Sequence, residues 1–157
     1  MAFVRAKPGL QATVFDLPNV LPLTRRYIDD AGLKGRIETA AGDYSADNLG
    51  QGFDLAFLSM VVHSNSPAQN RKLFQSVRRA LNPSGRLVVH DMVLDENRVW
   101  PPNAAIFALN MLVNTEAGDS YTQEEIYSWM TDAGFTGFER LDTPHETTLL
   151  IGRSGTP

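Results

Sequence analysis

Apolar and β-branched residues gather in short runs at about Ala12–Phe15, Arg36–Ala40, Leu55–Ser59, Arg86–Asp91, Phe138–Leu141 and Thr147–Ile151. These read as strands. Between most of them the apolar positions recur every three or four residues, the period of a helix with one buried face. Strand and helix patterns that alternate in this way predict an α/β fold of parallel strands joined by crossover helices.

Two of the helices carry start signals. In "SPAQNRKLFQSVRRAL" Ser66 is placed to cap, Pro67 suits the first helical position, and Gln69 completes a capping box. Leu73, Phe74, Val77, Ala80 and Leu81 supply the buried stripe. In "TQEEIYSWMTDAGF" Thr122 and Glu125 form the second box, Ile126, Trp129, Met130 and Ala133 share a face, and Gly134 marks the stop. An earlier helix, beginning near Asn19 after the Pro18-Asn19 break, closes at Gly32. Between the boxed helices, Pro101-Pro102 breaks the chain before an apolar helix from about Asn103 to Asn114, followed by a polar, glycine-containing loop. The last two strand-like runs have no helix between them, so "DTPHET" around Asp142–Thr147 predicts a closing antiparallel hairpin.

Composition narrows the functional classes. A chain of 157 residues with 43% hydrophobic content suits one globular domain spanning 1–157. A net charge of −4, a pI near 5.3 and scattered basic residues give no field for a phosphate backbone, so nucleic acid is not expected as a partner. No apolar run approaches the ~20 residues of a membrane span, and "MAFVRAKPGL" lacks the apolar centre of a signal peptide. A cytoplasmic location follows as the default. There is no cysteine, and His63, His90 and His145 show no ligand pair at helical spacing, so no metal site is expected.

Candidate chemistry begins where strands end. In an open α/β sheet ligands bind beyond the carboxyl ends of the strands, and an acid there accepts hydrogen bonds from ribose hydroxyls. Asp16 in "VFDLP" has that position, although capping the next helix would also explain it. Asp43 and Tyr44 in "AAGDYSAD" follow the next strand, where a carboxylate accepts from an exocyclic amine and a phenol ring lies against a purine. Two acids at adjacent strand ends suggest a nucleoside. The G-x-G of Gly50–Gly52 precedes a strand instead of following one and reads as a loop.

In the order "VFDLP", "GDY", "FDLAFLSMVVHS", "LNPSGRLVVHDMVLDE", "FALNMLVNT" and "GDSYTQEEIYSWMTDAGF", nearly the whole chain resembles the catalytic domain of S-adenosylmethionine-dependent O-methyltransferases of the caffeate and hydroxyindole type. The resemblance implies a Rossmann-like class I methyltransferase sheet with a C-terminal antiparallel hairpin. It implies S-adenosylmethionine as cofactor, S-adenosylhomocysteine as product, and a small aromatic or polyketide-like acceptor hydroxyl. Asp16 with Leu17 then corresponds to the ribose site, Asp43 and Tyr44 to the adenine site, and Ser59 to a further cofactor contact. His63 corresponds to the general base, and imidazole suits that work with an unperturbed pKa of about 6.5. A strand-end histidine is otherwise commonly structural. Asp91 stands where plant members place a glutamate that orients the histidine, and a strand-end cap explains it equally well. Asn110, Met111 and Asn114 correspond to the helix lining the acceptor pocket, with Met111 equally suited to the core. His90, on the opposite face of its strand from Asp91, is assigned no chemistry.

Several positions depart from the pattern. His63-Ser64-Asn65 replaces the usual His-Asp-Trp, removing an acid and an aromatic wall, and the second orienting glutamate falls at Ser120. The family's first strand and glycine-rich loop precede a helix ending much like "AFVRAKPGL", so the chain reads as starting inside that helix. A missing N-terminal segment or a second copy, as in a homodimer, would then complete the sheet. Two readings follow. One is a partial methyltransferase domain with His63 as base; the other is a catalytically incompetent, truncated nucleoside-binding remnant. A nicotinamide-dependent dehydrogenase would need the glycine-rich fingerprint and is disfavoured by the closing hairpin.

Overall fold

The small apolar positions Ala12 and Val14 alternate with more exposed residues and set a short strand against the first helices. In the computed structural model, which describes residues 1–155, the chain divides into two compact units, Met1–Leu49 and the part beginning at Gly50.

The first unit contains α1 (Ala2–Ala6), β1 (Ala12–Asp16), α2 (Leu21–Asp30) and β2 (Ile37–Ala41). The two strands run parallel, with Ala12 opposite Ile37 and Asp16 opposite Ala41. Val4, Ile28, Leu33 and Ile37 form the core, packed by Leu10, Ala12, Val14 and Ala31. Arg36 donates to the carbonyls of Val4, Lys7 and Leu10, closing the chain end of α1. Helix α2 starts at Leu21 and not near Asn19. Residues 18–20 form a turn, and Pro22 falls within the first helical turn, where its missing N–H costs nothing. Gly32, at φ +67°, closes it as expected.

The second unit contains β3 (Phe53–Ser59), a 3-10 turn at Val62–Ser64, α3 (Pro67–Ala80), β4 (Leu81–Asp91), α4 (Pro102–Asn114), α5 (Gln123–Asp132), β5 (Phe135–Asp142) and β6 (Thr148–Ser154). The strand order is β3-β4-β6-β5. Strand β3 is parallel to β4, and β6 is antiparallel to both β4 and β5, so the expected hairpin is present. Both capping boxes form reciprocally, at Ser66 with Gln69 and at Thr122 with Glu125.

Three strands begin earlier than their apolar patterns show, β3 by two residues at Phe53 and β4 and β5 by more. Leu81 already pairs with Phe53, and the register then slips before Arg86 meets Leu55. Pro83 and Ser84, the latter at φ +64°, take up the slack, while Asn82 Nδ2 ties back to Gly52 O and Asp54 Oδ1. Strand β5 starts at Phe135 because a second irregularity, at Gly137 (φ +61°), interrupts the alternation.

Helices α3 and α5 pack on each other and against β4, β5 and β6. Phe74, Leu87, Val89, Ile126, Met130 and Leu150 are fully buried there. On the other face of the sheet, Leu55 and Phe57 of β3 stay exposed, at 52% and 38%. Among the described strands β3 pairs with β4 alone.

Candidate active site

The parallel pairing of β3 with β4 brings two strand ends together, because Ser59 lies opposite His90 and Asp91 follows at once. The chain leaves β3 through Met60, whose N–H donates to His90 O at 2.9 Å, and enters the 3-10 turn. That turn buries His63 to 8% exposure beside Asp91 at 3%. His63 Nδ1 lies 2.8 Å from Asp91 Oδ1. The carboxylate also accepts from the N–H groups of Met92, at 2.8 Å, and His63, at 3.3 Å. With two backbone N–H donors already on this side chain, Nδ1 is placed to donate the third bond, the arrangement in which Nε2 of a neutral ring keeps its lone pair. Asp91 thus makes both kinds of contact expected of it, with the backbone at the end of β4 and with the imidazole.

Residues far apart in sequence fix this turn. Phe107 of α4 meets the His63 ring edge-on with centroids 4.8 Å apart, so an aromatic contact does exist, from a helix and not from the position of Asn65. Asp119 N–H donates to His63 O at 3.0 Å. Tyr121 OH donates to Asn65 O at 2.5 Å, Asn65 Nδ2 to Asn70 Oδ1 at 3.0 Å, and Asn70 Nδ2 to Val62 O at 3.0 Å. Burial, with Asp119 and Glu125 adding to it against Arg98, pushes the Tyr121 phenol up to about 12, so it remains a donor. None of Phe107, Asn65, Asn70, Asp119 or Tyr121 has a local sequence signal for this role. The polar residues Asn65 and Asn70 beside a capping box were the nearest hint.

Gly118 sits so close that a Cβ would overlap the His63 carbonyl oxygen, with Ser64 Cα also within contact. The nearest atom is backbone and cannot swing away, and the next, Thr115 Oγ1, is tied to Met111 O and Gly118 N–H. Gly118→Ala is therefore expected to cost about 1–3 kcal/mol of stability, as overpacking does, read as a lowered urea midpoint at unchanged slope.

Ser59 and His90 are already partnered. Ser59 Oγ lies 2.9 Å from His90 Nδ1, and His90 Nε2 lies 2.8 Å from Thr147 Oγ1 in the hairpin turn. On α4, Asn110 and Asn114 are exposed and bonded to each other, Asn114 Nδ2 donating to Asn110 Oδ1 at 2.6 Å. Met111 is buried at 8%, on the same stripe as Phe107, so it packs as core residues do.

In the first unit Asp16 ends β1, half-buried, with Oδ1 accepting from Leu17 N–H at 2.8 Å. Leu17 itself is exposed. Gly42 N–H donates to Asp16 O at 3.0 Å, which sets the turn after β2 against the end of β1. Asp43 opens that turn. Its Oδ1 accepts from Ser45 N–H at 2.8 Å, and its own N–H donates to Asp47 Oδ2 at 2.7 Å. The hydrogen bonds from the Ser45 side chain and backbone hold its carboxyl below the usual range, keeping it an anionic acceptor. Tyr44 beside it is half-exposed. Asp16 and Asp43 thus stand at the carboxyl ends of two paired parallel strands, as a nucleoside site requires.

Among the described residues no group of three or more His, Asp or Glu side chains is disposed to hold a metal ion, and no helix is long and apolar enough to cross a membrane.

Residues 1–136 match the family model of an O-methyltransferase domain. The chain is 42% identical over 130 residues, 83% of its length, to a 3-hydroxy-5-methyl-1-naphthoate 3-O-methyltransferase of Streptomyces sahachiroi, of which it spans 37%. It is 32% identical over 149 residues, 95% of its length, to a tetracenomycin polyketide synthesis 8-O-methyl transferase of Streptomyces glaucescens, spanning 44% of that protein. The solved structure of human N-acetylserotonin methyltransferase in complex with SAM superposes with a TM-score of 0.87 at 28% identity, covering 98% of this chain and 43% of that one. The chain therefore spans less than half the length of these relatives.

Proposed function

Since the chain belongs to the O-methyltransferase domain family, we propose that it is a single partial catalytic domain that transfers a methyl group from S-adenosylmethionine to a hydroxyl of a small aromatic or polyketide-like acceptor. The observation that carries this reading is the buried His63–Asp91 pair, whose Nδ1–Oδ1 contact suits Nε2 to act as a base.

The residues of the first unit fit the nucleoside end of the cofactor. Asp16 keeps its second carboxylate oxygen for ribose hydroxyls, with Leu17 beside it, and ionised Asp43 with Tyr44 suits the adenine. Ser59 would add a contact through its hydroxyl. When bound, the cofactor supplies an electrophilic methyl on a sulfonium. His63 Nε2 takes the proton of the acceptor hydroxyl, and Asp91 holds the ring in the required tautomer and stabilises the imidazolium that forms. Asn110 and Asn114 would fix polar edges of the acceptor, with Met111 behind them. This chemistry needs no metal. We further propose a cytoplasmic location, which suits a chain without cysteine that uses a diffusible cofactor.

A second reading, a nucleoside-binding remnant without turnover, is favoured by one feature. At Ser120, where the resemblance expects a second acid orienting the histidine, a neutral hydroxyl is buried with no hydrogen-bond partner. We further propose that another segment of polypeptide or a second copy completes the sheet beside β3, which among the described strands pairs with β4 alone.

Calorimetric titration with S-adenosylhomocysteine, alongside a light-scattering mass, separates these. The catalytic reading expects saturable binding that Asp16→Ala weakens by about 10- to 100-fold, the worth of hydrogen bonds to a charged group. Equal affinity in the variant overturns the ribose site. A folded chain that does not bind leaves the cofactor reading without support, and binding with no turnover on any phenolic acceptor supports the remnant.

A further inference from the structure

Arg98 lies in the loop between β4 and α4, in a left-handed backbone conformation at φ +58°, its N–H donating to Asp95 O at 2.8 Å. Its guanidinium spends all its visible bonds on one stretch of chain. Nη1 donates to Glu125 Oε2 at 2.8 Å, and Nη2 donates to Asp119 Oδ2 at 2.5 Å and to Ser120 O at 3.1 Å. Glu125 Oε2 in turn accepts from Thr122 N–H at 2.8 Å as part of the capping box of α5.

The opposite side of the same stretch bears on the His63 turn. Asp119 N–H donates to His63 O, Gly118 packs on His63 O and Ser64 Cα, and Tyr121 OH donates to Asn65 O. Residues 118–121 thus form a strap, gripped by Arg98 from outside and pressed on the histidine from inside. At Ser120, where the resemblance expects a second acid, the Oγ is buried with no hydrogen-bond partner, and the carbonyl is used by Arg98 instead. Exposed ion pairs add little to folding stability. A planar fork that joins a carboxylate and a carbonyl of the strap to a carboxylate of α5 is suited to setting the strap's position.

We propose that Arg98 is a positioning residue, a clasp that holds the 118–121 strap against the His63 turn so that Nδ1 stays on Asp91 and Nε2 is presented for proton transfer. Presentation for proton transfer rests on the proposed methyltransferase reading; the clasp itself does not.

The test is nuclear magnetic resonance of the full chain with 15N-labelled histidine, the His63 ring signals being identified by their loss in His63→Gln. In the wild type His63 shows a single tautomer with a slowly exchanging Nδ1–H. In Arg98→Ala that proton exchanges at least tenfold faster and the ring nitrogens shift toward a tautomer mixture, while His90, held in the sheet, keeps its signals. Arg98→Lys restores part of the protection. Should Arg98→Ala fail to fold, Asp119→Asn removes the charged partner and keeps the backbone donor to His63 O, and the same change is expected. Unaltered His63 signals in the folded variant, or equal loosening of His63 and His90, overturn the clasp. Because nothing is methylated in the measurement, absence of turnover in a chain that behaves as expected counts against the proposed activity alone.

Discussion

His63→Ala is expected to lower methyl transfer by about 10²- to 10⁴-fold, the usual contribution of a positioned general base, and to leave affinity for S-adenosylhomocysteine unchanged. The separation follows from what each group is proposed to do. Asp16 and Asp43 are proposed to hold the nucleoside and make no hydrogen bond to His63, whose ring is proposed to act only on the acceptor proton. The alanine keeps the backbone N–H that donates to Asp91 Oδ2 and the carbonyl that accepts from Asp119, so the turn retains its main-chain ties. What is lost is the ring between Asp91 and Phe107. Initial rates with a phenolic acceptor, alongside calorimetry on the same preparation, read the two quantities. A rate within a few-fold of wild type removes His63 from the chemistry; a parallel loss of cofactor affinity shows that the turn was deformed instead.

The elements that could be recognised along the chain were those whose signals are local. Ser66 with Gln69 and Thr122 with Glu125 announce helices through contacts three residues apart, and both boxes form. The alternating runs locate all six described strands, yet they miss the starts of β3, β4 and β5, and in the last two Ser84 and Gly137 insert irregularities that break the period of two. The strand-end acids were legible for the same reason. Asp16, Asp43 and Asp91 each follow an apolar run, and all three lie at carboxyl ends. What encloses His63 was not. Phe107, Gly118, Asp119 and Tyr121 lie 44 to 58 residues beyond it in sequence, and their roles arise from how α4 and the strap fold back on the turn. The pairing of Ser59 with His90 is likewise a product of strand register, which no single run of residues displays. Met111, open between pocket and core in the sequence, is buried at 8%, which suits either place.

Asp91→Asn tests whether the charge on that side chain, or only its shape, serves the site. The carboxylate faces donors alone: His63 Nδ1–H and Met92 N–H on Oδ1, and His63 N–H on Oδ2. An amide of the same shape offers one acceptor and one donor. With its oxygen toward Met92 and Nδ1, its NH2 confronts the His63 N–H; turned the other way, it confronts Met92 and forces Nδ1 to surrender its proton, which moves the proton to Nε2 and abolishes the base. Either arrangement leaves a buried donor unsatisfied, worth about 1–3 kcal/mol of stability. The imidazolium formed on proton transfer also loses its counter-charge in a site that is 3% exposed at Asp91. Asp91→Asn is therefore expected to cost turnover nearly as much as His63→Ala and to lower the denaturation midpoint more, whereas Asp91→Glu, which keeps the charge on a longer arm, recovers part of the rate. Full activity in the asparagine variant would make Asp91 a strand cap and nothing more.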